Sequence, residues 1–407
     1  MTNPITKSNT HMESPEPRLQ RLEGREAKRS TWLAAAAAGF LANLAIAGSG
    51  GYSPYPDESF PRTVYWGDTH LHTSNSFDAY PFGNQSVGPA EAYRFARGEI
   101  VTSAGIGEPV RLRRPLDWLV VSDHAEYLGM TKALFEGSEA LRAHPVGEEL
   151  YRMVQKGERI EAVMVIGNSI AERDELFDDP ALKRDIWSRF TEVADQYNDP
   201  GRFTAFIGFE WTSMPGTGDN LHRVVVYRDG AKLARAALPF SAFDSEDPED
   251  LWAWMARTAD ATGGDLLAIP HNGNTSNGLM FSDRTLGGEP LTADYAERRT
   301  QWEPLYEVTQ IKGDGETHPD LSPDDDFADF ETWDQGNITA NTPKEPWMLR
   351  HEYARSGLLL GLQLQERLGA NPYRFGLIGS TDSHTGLATG DDNNFWGKMS
   401  SNEPAPE

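Results

Sequence analysis

From Arg62 onward, short apolar runs alternate with polar or helix-patterned stretches. Seven runs have strand character, being short, apolar and rich in β-branched and aromatic side chains. They are Thr63–Trp66, Leu116–Val121, Phe203–Phe209, Arg223–Tyr227, Leu266–Ile269, Leu305–Ile311 and Phe375–Ile378. Helical spacing appears between them at Ala90–Arg97, Leu182–Tyr197, Glu249–Ala261 and Trp347–Leu368; the third carries a Trp252/Met255/Ala256/Ala259 stripe. No fixed-period repeat or long low-complexity tract interrupts this order. Strands alternating with helices in this number predict an α/β chain whose parallel sheet closes into a barrel.

The flanks read differently. Residues 1–51 form a lead-in, polar and mixed in charge up to about residue 30. Within it, the uncharged run Leu33–Gly48 is too short for a comfortable membrane span. It has two readings: the apolar core of a secretory signal with Ala45-Ile46-Ala47 as cleavage site, or an alanine-rich surface helix. The compartment therefore stays open between cytoplasm and export to the periplasm or medium. Residues 52–400 are expected to form the barrel and 401–407 a polar tail. No helix follows the last strand, as in a fragment of a longer chain.

Composition narrows the chemistry. Eleven tryptophans argue for a substantial core and against disorder. A formal net charge of -25 argues against nucleic acid as a partner, because phosphate-backbone binding relies on lysine and arginine patches. Most of that charge is expected to be a solvated acidic surface. The absence of cysteine excludes disulfides, iron–sulfur clusters and thiolate zinc sites, so any metal must be held by nitrogen and oxygen.

Candidate ligands stand next to the strand-like runs. Asp68, His70, His72 and Asp78 follow the first, Asp123 and His124 the second, and Glu210 ends the third. His222 immediately precedes the fourth, His271 follows the fifth, and Asp382 and His384 follow the seventh. An H-x-H pair on a strand points both rings the same way, and strand ends of a barrel gather around one mouth. Each piece alone is weak. Together they predict one shared metal site. Arg223 and Lys312 are candidates to clamp an anion; ion pairs with nearby acids are the alternative. Asp68 and Asp123 read as acceptors that orient ligand imidazoles or as structural carboxylates. Trp211 and Tyr127 would wall the pocket or belong to the core. His11, His144 and His351 read as solvated surface residues, and His318 as lining the mouth.

The runs YWGDTHLHTSNSFDAY, DWLVVSDHAEYLG, GFEWTS with NLHR, QIKGDGETHP and GLIGSTDSH resemble, in this order, the PHP (polymerase and histidinol phosphatase) superfamily, and within it a large bacterial branch. The resemblance covers roughly residues 52 to 400. It implies a distorted seven-stranded (β/α)7, TIM-like barrel with a trinuclear metal centre. One ion would take His70, His72, Glu210 and Asp382; a second would share Glu210 and add His222 and His271; a third would use His124, His384 and Asp78. Nitrogen and oxygen ligands suit two to three divalent ions of zinc, manganese or iron.

The activity this implies is metal-dependent hydrolysis of a phosphate mono- or diester, with Asp382, His384, Arg223 and Lys312 as the catalytic candidates. Water bridging two ions would approach a pKa of about 7 and supply hydroxide at neutral pH. The expected partner is a small anionic ester; oligomeric state is left open. The same centre could attack a sulfate ester, carboxylic ester or amide. A non-catalytic, metal-stabilised scaffold is the reading from another class.

Overall fold

A computed structural model describes residues 63–391 and 393–404. The run Leu33–Gly48 and His11 lie outside the described residues. From Tyr65 onward the chain is one unit. Among the described residues no helix is long and apolar enough to cross a membrane.

Strands and helices alternate as the pattern predicts. The strands are β1 (Gly67–Leu71), β2 (Val101–Thr102), β3 (Pro109–Val110), β4 (Trp118–Val121), β5 (Thr204–Trp211), β6 (Arg223–Tyr227), β7 (Leu266–Pro270), β8 (Leu305–Gln310), β9 (Gly313–Asp314) and β10 (Gly376–Gly379). Helices longer than one turn are α1 (Pro89–Ala96), α2 (Met130–Phe135), α3 (Pro145–Gln155), α4 (Arg159–Ala171), α5 (Pro180–Tyr197), α6 (Pro248–Thr262), α7 (Ala293–Trp302) and α8 (Ala354–Leu368). Local chemistry sets several ends. Asp179 and Asp247 accept backbone N–H bonds at the starts of α5 and α6, each followed by proline at the first helical position. Gly263 and Gly369, both with positive φ, end α6 and α8.

Five strands form one curled sheet in the order β1-β4-β5-β6-β7, and β10-β8-β9 form a second. Single parallel bridges link them: His271 to Glu307 joins the end of β7 to β8, and Leu71 to Ser383 joins β1 to the segment after β10. Alternation along β4 explains the layers. Val120 meets Val224, Val226 and Ile269 on the inner face, packed by Trp118, Phe206, Leu267, Leu305 and Ile378. Leu119 and Val121 face outward into the main core, with Tyr93, Trp187, Phe209 and Trp252.

Three expectations are corrected. The sheet is not all parallel: β6 runs antiparallel to both β5 and β7. Only residues 212–222 separate β5 from β6, which leaves no room for a crossover helix, whereas a return connection needs none. The first strand is Gly67–Leu71 rather than Thr63–Trp66; Tyr65 and Trp66 are exposed. Its sequence looks unlike a strand because Asp68 and His70 face polar partners. Finally, the polar tail folds back: Ser401 N–H bonds Phe82 O at 3.1 Å and the buried Glu403 carboxylate accepts from Ser103 Oγ.

Candidate metal centre

The C-terminal ends of β1, β4, β5 and β7 share one rim, and the reversal of β6 brings its N-terminal end there too. This is why His222, which precedes its strand, joins residues that follow theirs. His70 lies in β1 and His72 one residue beyond it, and their Nε2 atoms face each other at 3.1 Å. Two imidazole nitrogens at that distance leave room for one proton or for a cation near both.

Glu210, near the end of β5, is the hub. Its Oε1 lies 2.8 Å from His222 Nδ1 and 2.7 Å from His271 Nε2. Its Oε2 lies 3.1 Å from His72 Nε2, 3.1 Å from His124 Nδ1 and 3.5 Å from His70 Nε2. Asp382 approaches from the opposite side, its Oδ1 at 3.4 Å from His70 and 3.3 Å from His72. Asp78 Oδ2 sits 2.9 Å from His384 Nε2 and 3.6 Å from His124 Nε2. All nine ligand candidates from the sequence therefore converge. Eight of them fall into overlapping groups whose donor atoms lie within 4.8 Å of one another, His72/Asp78/His124/His384, His70/His72/Glu210 and Glu210/His222/His271, and Asp382 stands beside His70 and His72.

A further group, His70/His271/Glu307, contains a residue that the sequence reading passed over. Glu307 is in β8, fully buried, with Oε2 3.1 Å from His70 Nδ1. Its signal was available: an acid in the middle of an otherwise strand-like run, where alternation forces it inward or outward with no charged neighbour. Gln310, three residues on, was also missed; its Nε2 donates to Asp382 Oδ2 and Asn272 Oδ1, each at 2.7 Å. Asp382 itself has φ 48°, a left-handed conformation uncommon for a non-glycine residue. Such backbones concentrate at functional sites where the surroundings over-determine them.

The electrostatics favour cation binding. Burial holds His72 and His271 down at about 4 and His222 at about 3, and keeps His384 well below its ordinary value. These imidazoles are neutral at pH 7 and keep a lone pair to offer. His70 and His124 are the exceptions: burial works against their protons, but Glu307 and Glu210 raise His70 to about 9, and Glu210 and Asp78 raise His124. Burial also opposes ionisation of Glu210 and Asp78, yet the surrounding imidazoles hold both well below the carboxylate range. Buried polar atoms normally find partners. Here Glu210 Oε2, Asp382 Oδ1, His222 Nε2 and Asp78 Oδ1 make no hydrogen bond. Anionic oxygens and an imidazole nitrogen left without donors, facing one space, fit divalent cations bound by nitrogen and oxygen.

Other expected roles are redistributed. Asp68 and Asp123 touch no ligand ring. Asp68 accepts from His70 N–H at 2.9 Å and Thr381 Oγ1 at 2.6 Å, tying β1 to the segment after β10. Asp123 accepts from Thr73 N–H and, at 2.7 Å, Thr73 Oγ1. The rings are steered instead by Glu307, by Ser76 Oγ at 2.9 Å from His72 Nδ1 and by Thr212 Oγ1 at 2.6 Å from His124 Nδ1.

Lys312 reaches the centre, its Nζ paired with Asp382 Oδ2. Lys398, beyond the last strand, meets the same oxygen at 2.9 Å. Arg223 does not reach it. Adjacent residues on a strand face opposite ways, so His222 points to the centre and Arg223 into the core. Its Nε donates to Glu303 Oε1 at 3.0 Å, and Glu303 also holds Arg299 and Trp252 Nε1. Trp211 and Tyr127 are core residues, bonded to Ser245 O and Ser169 Oγ. His318 pairs with Asp334 at 3.0 Å, and His351 is buried against Phe281 O rather than solvated.

The centre opens into a cavity of about 700 Å³ lined by Asp78, His124, Glu210, His222, Asp382 and His384, with Lys312 and Lys398 at its edge. A cavity of about 870 Å³ lies at the other end of the strands among Trp118, Phe206, Leu267 and Ile378; it contains no histidine and is the hollow behind the inner apolar cluster.

Fold and site together define a mixed α/β protein with a buried imidazole–carboxylate cluster able to coordinate metal ions. A family model described as "Protein of unknown function (DUF3604)" matches residues 59–407. The chain belongs to that family. No curated protein and no solved structure matches it.

Proposed function

We propose that this chain is a metal-dependent hydrolase of the PHP type that cleaves a phosphate ester. The observation that carries the reading is the set of buried acceptors at Glu210 and Asp382 that make no hydrogen bond although six imidazoles surround them, with His72, His222 and His271 neutral and His70 and His124 raised. A structural cluster would close such atoms with hydrogen bonds. The order of the motifs along the chain supports the same reading. So do the two bridges between the sheets, which are consistent with β1, β4, β5, β6, β7, β8 and β10 forming one distorted seven-stranded ring.

Two to three divalent ions would be held by His70, His72, Glu210 and Asp382, by Glu210, His222 and His271, and by Asp78, His124 and His384. Bound there, zinc, manganese or iron supplies Lewis acidity and lowers the pKa of water toward about 7.

The chain's own residues supply the rest. Gln310 and the two lysines fix Asp382, and Glu307 fixes the ring of His70. Hydrolysis adds water across the ester: the water oxygen bonds to phosphorus, the bond to the alcohol oxygen breaks, and the alcohol leaves with a proton. Lys312 and Lys398 face the cavity beside Asp382; burial and the neighbouring Lys398 hold Lys312 well below the ordinary lysine value, so Lys398 is the one that attracts the anionic group. Lys398, brought down by burial to about 8, still carries a proton at neutral pH that it can give to the leaving oxygen. No part is assigned to Arg223.

The test is turnover of aryl phosphates, sulfates and acetates by purified protein, before and after chelation, and by His70→Ala and Asp382→Ala. Phosphate hydrolysis lost on chelation and in both variants is expected. Intact phosphates alongside turnover of another ester, or unchanged activity in both variants, would refute it.

A further inference from the structure

Most charged side chains of the cavity above the centre cluster at the ligands. Its lining also holds an apolar patch, built from Phe77, Phe82, Met214 and one face of α4, where Val163, Gly167 and Ala171 recur at intervals of four residues. Gly167 is out of place by the usual rules. A glycine inside a helix costs about 1 kcal/mol relative to alanine. Its φ is not in the left-handed range, and a Cβ added there meets nothing within 4 Å. Neither backbone conformation nor packing asks for glycine. What a side chain at 167 would occupy is the cavity.

The ligand cluster is the second observation. Glu210 Oε2, Asp382 Oδ1 and His222 Nε2, each on a residue at least nine-tenths buried, make no hydrogen bond along the same space, the two oxygens having only imidazole nitrogens near them. Lys312 and Lys398 reach the same space beside Asp382. One part of the cavity therefore suits an anionic, oxygen-rich group and another an uncharged apolar one. A volume of about 700 Å³ is in the range of small-molecule sites. Phe77, Phe82, Val163, Ala171 and Met214 carry no hydrogen-bonding side-chain group, while Asn168, Glu172, Thr339 and Asn341 also line the cavity.

Resting on the hydrolytic reading above, we infer that the substrate is an anionic ester of an apolar alcohol or phenol, its aryl or branched-alkyl part lying against α4 in the space kept open at Gly167. Burial of a phenyl ring against such a wall is worth roughly tenfold or more in affinity.

The experiment is calorimetric binding of phenylphosphonate and methylphosphonate, neither of which is an ester, to metal-loaded protein and to Gly167→Leu. Leucine is a better helix former than glycine, so the variant should melt no lower than the parent. In the parent, phenylphosphonate should bind at least about tenfold tighter than methylphosphonate. In Gly167→Leu that ratio should fall to near one. Met164→Asp, at the exposed edge of the same helix, should lower it in the same direction without filling the space. Equal affinity for both phosphonates in the parent, or an undiminished ratio in both variants, would overturn the inference. Aryl preference in binding, with no phosphate ester turned over, would leave the ligand class standing and remove the hydrolytic reading.

Discussion

Glu307 Oε2 lies 3.1 Å from Nδ1 of His70, 237 residues earlier in the chain, with both side chains sealed from solvent. The contact fixes which ring nitrogen of His70 turns to His72 and the shared space. Carboxylates that orient metal-bound imidazoles commonly contribute 10- to 100-fold to affinity. Glu307→Gln should therefore weaken metal binding by about that factor, read by competition with a chelator. Unaltered affinity would mean that Glu307 neither binds a cation nor positions His70.

Glu210 touches five imidazoles, so its loss should be felt by more than one cation. Glu210→Ala should lower the metal content of the purified protein by at least one ion per chain and reduce ester turnover by about three orders of magnitude or more. Full metal content in this variant would contradict its place as the hub.

Arg223 makes the opposite case. Removing one member of a buried ion pair leaves its partner uncompensated, at a cost of about 3–5 kcal/mol. Arg299 stays beside Glu303, so Arg223→Met should cost toward the lower end of that range. Thermal unfolding should register the loss, while metal content stays at the parental value. A parental melting temperature combined with lost turnover would return Arg223 to a catalytic role.

Acid should destabilise the metal-free protein well before its carboxylates titrate. His72, His222 and His271 have folded values of about 4, 3 and 4, below the ordinary 6.5. The unfolded chain thus binds more protons than the folded one between about 6.5 and 4, and stability falls as pH drops through that window. Asp68, raised by burial to about 6, and the raised Asp123 and Glu126 work against this, while His384, Glu210 and Asp78, all held well below their ordinary values, add to it. Above 6.5, His70, held at about 9, makes the folded state the greater proton binder, so stability also declines as pH rises toward 9. Melting temperature after chelation should peak near pH 6.5 and fall steeply by pH 4.5. A flat profile would contradict these ionisation states.

Much of this was legible in the sequence because ligands at strand ends are spaced by the fold itself. The apolar runs at β4 to β8 and β10 mark where the chain crosses the sheet, and His124, Glu210, His271 and His384 follow from them. The first strand was misplaced because the residues of Gly67–Leu71 serve the centre rather than the core, so they lack an apolar pattern. The direction of β6 turns on connection length, and Arg223 on which way one residue faces once that direction is set. Glu307, Gln310 and Lys398 escaped for different reasons: the first two lie within the expected run Leu305–Ile311 rather than beyond it, and the third follows the last strand in a polar stretch with no apolar run of its own.

The central claim is that these imidazoles and carboxylates hold metal. Elemental analysis of the protein purified without added chelator, followed by stripping and thermal unfolding, addresses it most directly. Two to three divalent ions per chain are expected, with a melting temperature that drops on stripping and recovers when zinc, manganese or iron is returned. Protein that carries no ion, takes none up and melts at the same temperature with and without chelator would contradict the account.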